Sequence, residues 1–265
     1  MDFRLKCAVQ HVLSVLPWGR KMNYLLQRYV VKTVPTIEPE LERHKGIAAK
    51  HLQNYVERYG RAPRLTFEFG SGMQMMDAIL LGMKGCKVVA SDVRSLSNRF
   101  LLDNMLQRLG AESLESINVR YIAPLDARHT PFPDGHFDLI VSAMVLEHIP
   151  PDVIQGIMRE CRRLLSAQGI CSFYIDYIDH WSYIDPSISH LNFLRYEPRA
   201  WKFMNPAIHY QNRLRHSDYV AIFEQAGFRI ASVEPERLEI PPVPLASQFR
   251  RASDLDITRA WFVLE

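Results

Sequence analysis

The residues best suited to chemistry cluster where Leu65-Thr-Phe-Glu-Phe-Gly-Ser-Gly-Met73 is followed, further on, by Asp92. Glu68 stands on the opposite side of a short apolar strand from Phe67 and Phe69, so its carboxyl group leaves the strand beside the next turn. Gly70 and Gly72 lack the Cβ atoms that hold a ligand away from backbone. The helix expected from about Gln74 offers N–H groups with no intrahelical partner. Asp92 lies 22 positions after Gly70, at the end of a second apolar run, Lys87-Val-Val-Ala-Ser91. At that spacing a carboxylate can accept both hydroxyls of an adenosine ribose bound over the first turn. The combination describes a nucleoside site. A dinucleotide fingerprint would need glycine at position 75, where Met75 stands.

Strands alternating with helices must position these groups. After Arg61 we expect strands at 65–69, 87–91, 118–123, 137–142, 170–175, 228–233 and 258–264. Helices over 74–83, 96–109, 152–165 and 217–226 come between most of them. Phe137-Asp-Leu-Ile-Val-Ser142 is almost continuously apolar, as a central strand covered on both faces should be. The rhythm predicts an α/β fold, a doubly wound and mostly parallel seven-stranded sheet. Residues 1–60 read as three helices, an N-terminal extension ahead of a domain spanning 61–265. The first carries Leu5, Val9, Val12, Leu13 and Leu16 at helical spacing. The third begins near Thr36 or Glu38 and should bury Leu41, Ala48, Leu52, Tyr55, Val56 and Tyr59.

Glu68-Phe-Gly-Ser-Gly-Met-Gln74 resembles the Glu/Asp-x-Gly-x-Gly-x-Gly signature of class I S-adenosylmethionine-dependent methyltransferases, departing from it at the last glycine, where Gln74 stands. Leu125-Asp-Ala127 with Pro131-Phe-Pro-Asp-Gly-His-Phe-Asp-Leu-Ile-Val141 resembles the same region of the ubiquinone/menaquinone-biosynthesis type. So does Ser142-Ala-Met-Val-Leu-Glu-His148 at the end of the fourth strand. The resemblance covers roughly residues 64–175 and implies a Rossmann-like fold holding S-adenosylmethionine. It implies that Glu68, Gly70, Gly72 and Asp92 form the cofactor cradle. Asp126 would accept the adenine amine, the Ala127 N–H would bond a ring nitrogen, and Ser142 would line the methionine part. An isolated Asp126 would read instead as a turn cap.

The acceptor has less signal. About forty residues, 176–216, connect the fifth strand to the next helix, which is long for a compact domain and suits a substrate-binding insertion. They carry many aromatics together with Arg195, Arg199, Arg213 and Arg215, which permit an anionic or polar acceptor. His148, at the presumed methyl group, is the candidate base, or else an anchor for the following helix. His180, His190 and His209 are weaker candidates. Methyl transfer to oxygen on a small molecule, lipid head group or sugar is the favoured reaction. Another use of the cofactor, such as cyclisation, or plain cofactor binding are the alternatives.

A net charge of +3 is too small to argue for nucleic acid. Cys7, Cys86, Cys161 and Cys171 show neither a Cys-x-x-Cys pair nor a histidine spacing for zinc, so no metal is expected and the thiols read as free, in a reducing, cytoplasmic setting. Residues 1–32 are basic and amphipathic, which can signal a membrane surface. The reading adopted is a helical cap or lid packed on the core, with its charges in water.

Overall fold

The computed structural model describes residues 2–30 and 38–265. Seven strands form one sheet in the order β3-β2-β1-β4-β5-β7-β6. They are β1 (Thr66–Phe69), β2 (Val88–Ser91), β3 (Val119–Ile122), β4 (Phe137–Ala143), β5 (Leu165–Asp176), β6 (Ile230–Arg237) and β7 (Ile257–Leu264). The first five run parallel, and β7 inserts antiparallel between β5 and β6. The strand order reverses at β1–β4, the switch point where open α/β sheets bind ligands.

Strand alternation decides which residues feed each face. Phe67, Phe69, Ile140 and Phe173 pack under α6 (Pro151–Leu164) and α8 (His216–Gln225). Leu139, Val141, Val88 and Ala90 pack under α3 (Glu38–Tyr59), α4 (Met76–Met83) and α5 (Arg99–Leu109). The expected doubly wound architecture is therefore present. Asn98 caps α5 by accepting the Leu101 N–H, and Gly110 ends it at a positive φ of 73°. Two strands run longer than their sequence pattern suggests. β5 begins at Leu165, paired to Phe137, and β6 continues to Arg237 along β7.

The N-terminal helices divide between two neighbours. α3 lies on the sheet, burying Leu41, Ala48 and Tyr55, with Leu52 and Tyr59 half-covered and Val56 exposed. His51 and Asn54 of α3 both reach the buried Ser172 hydroxyl of β5, at 2.8 and 2.9 Å. Thr36, one of its two candidate start residues, lies outside the described residues. α1 (Phe3–Val15) packs instead against the 176–216 segment, and α2 (Gly19–Tyr29) packs on α1, with its Arg28 over the Phe100 ring of α5. Against that segment, Phe3 and Cys7 join Trp181, Leu191, Phe193, Leu194 and Trp201 in a small separate core.

The inward face of α1 differs from the one its periodicity suggests. Of Leu5, Val9, Val12, Leu13 and Leu16, only Leu13 is buried; the inward face is Phe3, Cys7, Gln10 and Leu13. Polar pairing selects it. The Cys7 thiol and His11 Nε2 both donate to the Phe203 carbonyl, at 3.3 and 2.7 Å, and the Phe3 N–H donates to Asp185 at 3.1 Å.

Candidate active site

The end of β1 is fastened from both neighbouring strands. Ser91 of β2 donates its hydroxyl to the Glu68 carbonyl and Ser142 of β4 donates to the Phe69 carbonyl, each at 3.1 Å. The Gly70 and Ser71 N–H groups then donate to the Ser91 carbonyl, at 2.8 and 3.2 Å. The chain leaves the strand through Gly70 and Gly72, both at positive φ. A Cβ on Gly70 would stand 2.5 Å from Val145 Cγ1, so this glycine admits the loop after β4 rather than a ligand. A Cβ on Gly72 would meet no protein atom within 4 Å. That open side of the turn is where a ligand can approach the backbone.

Three carboxylates surround this turn. Glu68 is buried and accepts the Ser71 hydroxyl at 2.5 Å. Burial, then the neighbouring Asp77 and Asp92, push its pKa up to about 8 against the pull of Ser71. Asp77, in the first turn of α4, pairs with His44 of α3 at 2.7 Å. Asp92 accepts the Gly72 N–H at 3.3 Å and the Tyr121 hydroxyl at 3.0 Å. Its burial raises the pKa to about 6, with both hydrogen bonds opposing the rise.

The loop after β3 closes on the same edge, because the Leu125 N–H donates to the Asp92 carbonyl at 2.8 Å. Asp126 follows, half-exposed, with both carboxylate oxygens on Arg128. The Arg128 N–H and Nε reach Oδ1 at 2.9 and 3.0 Å, and Nη2 reaches Oδ2 at 2.6 Å. The arginine holds the Asp126 pKa below its usual value. Among the described residues the Ala127 N–H donates to no protein acceptor. Ser142 is buried, and its hydroxyl is committed to Phe69.

The ends of β4 and β5 bring a second group together. His148 ends a 3-10 turn, Leu146–His148, and its Nδ1 lies 2.8 Å from the Tyr210 carbonyl. A carbonyl only accepts, so Nδ1 carries the proton and Nε2 keeps its lone pair. Crowding by protein, followed by the nearby His180, lowers the His148 pKa to about 4. The His148 and His180 rings meet edge-on at 4.8 Å, and His209 lies 6.3 Å beyond His180. Glu147 is 2% exposed, and neither of its carboxyl oxygens has a protein partner. His180 Nε2 and His209 Nε2 are likewise buried with no hydrogen-bond partner among the described residues, although His180 Nε2 lies 3.7 Å from Asp176 Oδ2. Glu147, His148 and His180 each offer a ligand atom within 4.8 Å of one another. Sequence spacing alone shows no such donor set, since His180 joins it only through the fold. His190 is not among these donors, and its backbone carbonyl accepts the Asp179 N–H at 2.8 Å.

Residues 68–173, from Glu68 at the nucleoside turn to Phe173 on β5, match the model of a family described as a methyltransferase domain. Over that stretch the chain carries a methyltransferase domain. No curated protein sequence matches it significantly. Solved structures share its fold at low identity. A protein from Pyrococcus horikoshii OT3 is 14% identical with a TM-score of 0.58, over 90% of this chain and 97% of that one. A methyltransferase dependent on S-adenosylmethionine from Methanosarcina mazei is 15% identical with a TM-score of 0.52, over 76% and 91%. The 1,6-didemethyltoxoflavin N1-methyltransferase of Burkholderia thailandensis, solved with 1,6-didemethyltoxoflavin and S-adenosylhomocysteine, is 14% identical with a TM-score of 0.54, over 92% and 85%.

The methyltransferase domain suits S-adenosylmethionine on its own geometry. The open side of Gly72, the carboxylate of Asp92 and the free Ala127 N–H lie along one edge. The acidic surroundings favour a ligand bearing ammonium and sulfonium charges. Ser91, Tyr121 and Asp77 also contact the groups of the glycine turn and carry no local motif. Glu147 lies in the second group, and its position, beside His148 and ahead of an apolar helix face, offered a signal.

Two arginines do not serve the acceptor as their sequence position suggests. Arg213 donates to the Phe193 and Tyr196 carbonyls, at 3.1 and 2.5 Å, and lies over the Trp201 ring. Arg215 is buried and donates to the carbonyls of Tyr177, Asp254 and Ile257. Arg213 fastens the 176–216 segment to itself, and Arg215 fastens it to the start of β7.

Proposed function

We propose that this enzyme methylates a hydroxyl oxygen on a small molecule, lipid head group or sugar, with His148 as the base. The supporting observation is the tautomer set by Tyr210. His148 is neutral at physiological pH with a bare Nε2, and it lies beside Glu147 and His180, each offering a ligand atom within 4.8 Å of the others. These residues bound the acceptor chamber in this reading, since buried donors and acceptors without partners are costly and favour a polar group beside them.

In this reading Glu68, Gly72, Asp92, Asp126 and Ala127 hold the cofactor, with Gly70 making room for Val145 behind the turn and Ser142 fixing the floor through Phe69. Asp92 takes the ribose hydroxyls, and the Ala127 N–H takes an adenine nitrogen. Asp126 contributes only lone pairs that Arg128 leaves open. The bound cofactor supplies a methyl group already activated on sulfur. The chain therefore contributes positioning, exclusion of water and one proton transfer. The acceptor O–H proton passes to His148 Nε2 as the oxygen lone pair forms the new O–C bond. The S–C bond breaks, and its electrons remain on sulfur. The 176–216 segment and the helices of 1–60 bound the acceptor side. The four buried free cysteines suit a reducing cytoplasm.

The test is product analysis with S-adenosylmethionine and a panel of hydroxylated acceptors. S-adenosylhomocysteine should accumulate with the wild type. His148→Gln should lower kcat by about 10²–10⁴ while S-adenosylhomocysteine binding is retained. Full turnover by His148→Gln removes the base, and formation of methylthioadenosine instead points to a different use of the cofactor. The donor set of Glu147, His148 and His180 favours a second reading, in which a divalent ion activates the acceptor oxygen. Turnover lost on chelation and recovered on adding metal would select it.

A further inference from the structure

We propose that α1 and α2 form a docking face for an anionic membrane surface, beside the entrance to the site. The two helices leave much of their apolar surface facing outward. Gln10 is 2% exposed, whereas the stripe Leu5, Val9, Val12 and Leu16 faces solvent. In α2 the half-buried positions are Asn23, Tyr24, Gln27 and Arg28, and the open ones include Met22, Leu25, Leu26 and Tyr29. Trp18, at the turn between the helices, is 76% exposed. An apolar face of this kind on water is unfavourable, at roughly 25 cal/mol per Å², so it implies a covering partner.

Charge selects the partner. Residues 2–30 carry Arg4, Lys6, Arg20, Lys21 and Arg28 against Asp2 as the sole acid. A second copy would bring the same positive charge against itself, whereas anionic head groups complement it. No helix among the described residues is long and apolar enough to cross a membrane. At 13 and 11 residues these helices fit a position in the interface plane.

The face continues to the cofactor edge. Arg28 lies 4.1 Å above the ring of Phe100, which is itself half-exposed. Arg20 feels the charge of Arg94, and Val93 and Leu96 extend the apolar surface directly after Asp92. A membrane on α1 and α2 therefore lies against the side on which the strand ends open. Trp18 provides an interfacial anchor and the arginines and lysines a polar rim.

Flotation of the full chain with vesicles tests this directly. Vesicles of phosphatidylcholine mixed with phosphatidylglycerol should carry the protein at low salt, and pure phosphatidylcholine should carry far less. Raising the salt should release it, because the charge attraction is screened within roughly 10 Å at 0.1 M. Arg20→Glu with Lys21→Glu should lower partitioning by about tenfold or more, and Val12→Glu should do the same through lost apolar contact. These exposed sites should leave S-adenosylhomocysteine affinity and the circular dichroism spectrum unchanged. Equal binding to both vesicle types, or to neither, would overturn the proposal. So would a dimer in solution that Val12→Glu dissociates.

Discussion

Gly70 and Gly72 share a turn and a positive φ, yet their surroundings predict opposite phenotypes. Alanine at either position adopts a left-handed conformation, costing about 1–2 kcal/mol. At Gly70 the new Cβ would also lie 2.5 Å from Val145 Cγ1 and 2.7 Å from Cγ2, and the loop after β4 must shift. Overpacking of this kind costs about 1–3 kcal/mol more, so Gly70→Ala should lose about 2–5 kcal/mol in all. Gly72→Ala should lose only the conformational part, about 1–2 kcal/mol, because nothing lies within 4 Å of its Cβ. That Cβ occupies the space assigned to the cofactor, so S-adenosylhomocysteine affinity should fall about tenfold or more, equivalent to at least about 1.4 kcal/mol. Urea unfolding at constant m gives the stabilities and calorimetry the affinities. Adding Val145→Ala to Gly70→Ala should recover the steric part of the loss and leave the conformational part. Two results would refute the reasoning: Gly72→Ala binding S-adenosylhomocysteine as tightly as the wild type, or Gly70→Ala proving no less stable than Gly72→Ala.

Asp92→Ala should bring S-adenosylhomocysteine binding below calorimetric detection, since two charge-assisted hydrogen bonds worth about 3 kcal/mol together are lost. Tyr121→Phe, which removes only the hydroxyl orienting Asp92, should cost about tenfold or less, and equal affinities for the two variants would reject the ribose assignment. Affinity should also fall as pH drops through about 6, where Asp92 protonates and loses an acceptor; a flat profile would place the ligand elsewhere. Glu68 has a folded pKa near 8, above its ordinary value, so its stabilising contribution is complete below about pH 4.5 and disappears as pH rises through 8. The ligand-free protein should therefore lose thermal stability from pH 5 to about 8 with a slope that Glu68→Gln flattens, and an unchanged slope would assign it to other groups.

The cofactor edge was legible in the sequence because its signals are local. Alternation places Glu68 opposite Phe67 and Phe69, and two glycines interrupt the chain where a strand must become a helix. The bonds that fasten this edge were not legible. Ser91, Ser142 and Tyr121 act across strands, on a carbonyl or a carboxylate far away in sequence, and nothing in their own neighbourhoods marks them. Asp126 shows a local pairing that a sequence reading overlooks. Its partner is two residues away, but a family resemblance draws attention to a ligand before Arg128. In α1 the periodicity correctly marks an apolar stripe, but it cannot tell which side meets protein. Phe3 with Trp181, and the Phe203 carbonyl bound by Cys7 and His11, settle the orientation against the stripe.

The same distinction bears on the acceptor. Counted along the chain, Arg213 and Arg215 suggest an anionic substrate in the 176–216 segment. In the fold both guanidinium groups are consumed by backbone carbonyls that would otherwise be buried without partners. Arg195 and Arg199 face solvent. The proposed acceptor chamber presents an exposed, neutral His148 and a buried Glu147 whose pKa burial, followed by the charge of Asp176, drives well above its usual value. A reacting end that enters such surroundings is favoured when it is uncharged, because a phosphate or carboxylate would leave water for neutral imidazoles and a carboxylic acid. A neutral hydroxyl satisfies the orphaned atoms without that cost. Any anionic portion of the acceptor then belongs outside the chamber, toward the basic rim of α1 and α2. A molecule with a neutral hydroxyl at one end and an anionic, membrane-associated portion at the other fits both surfaces at once.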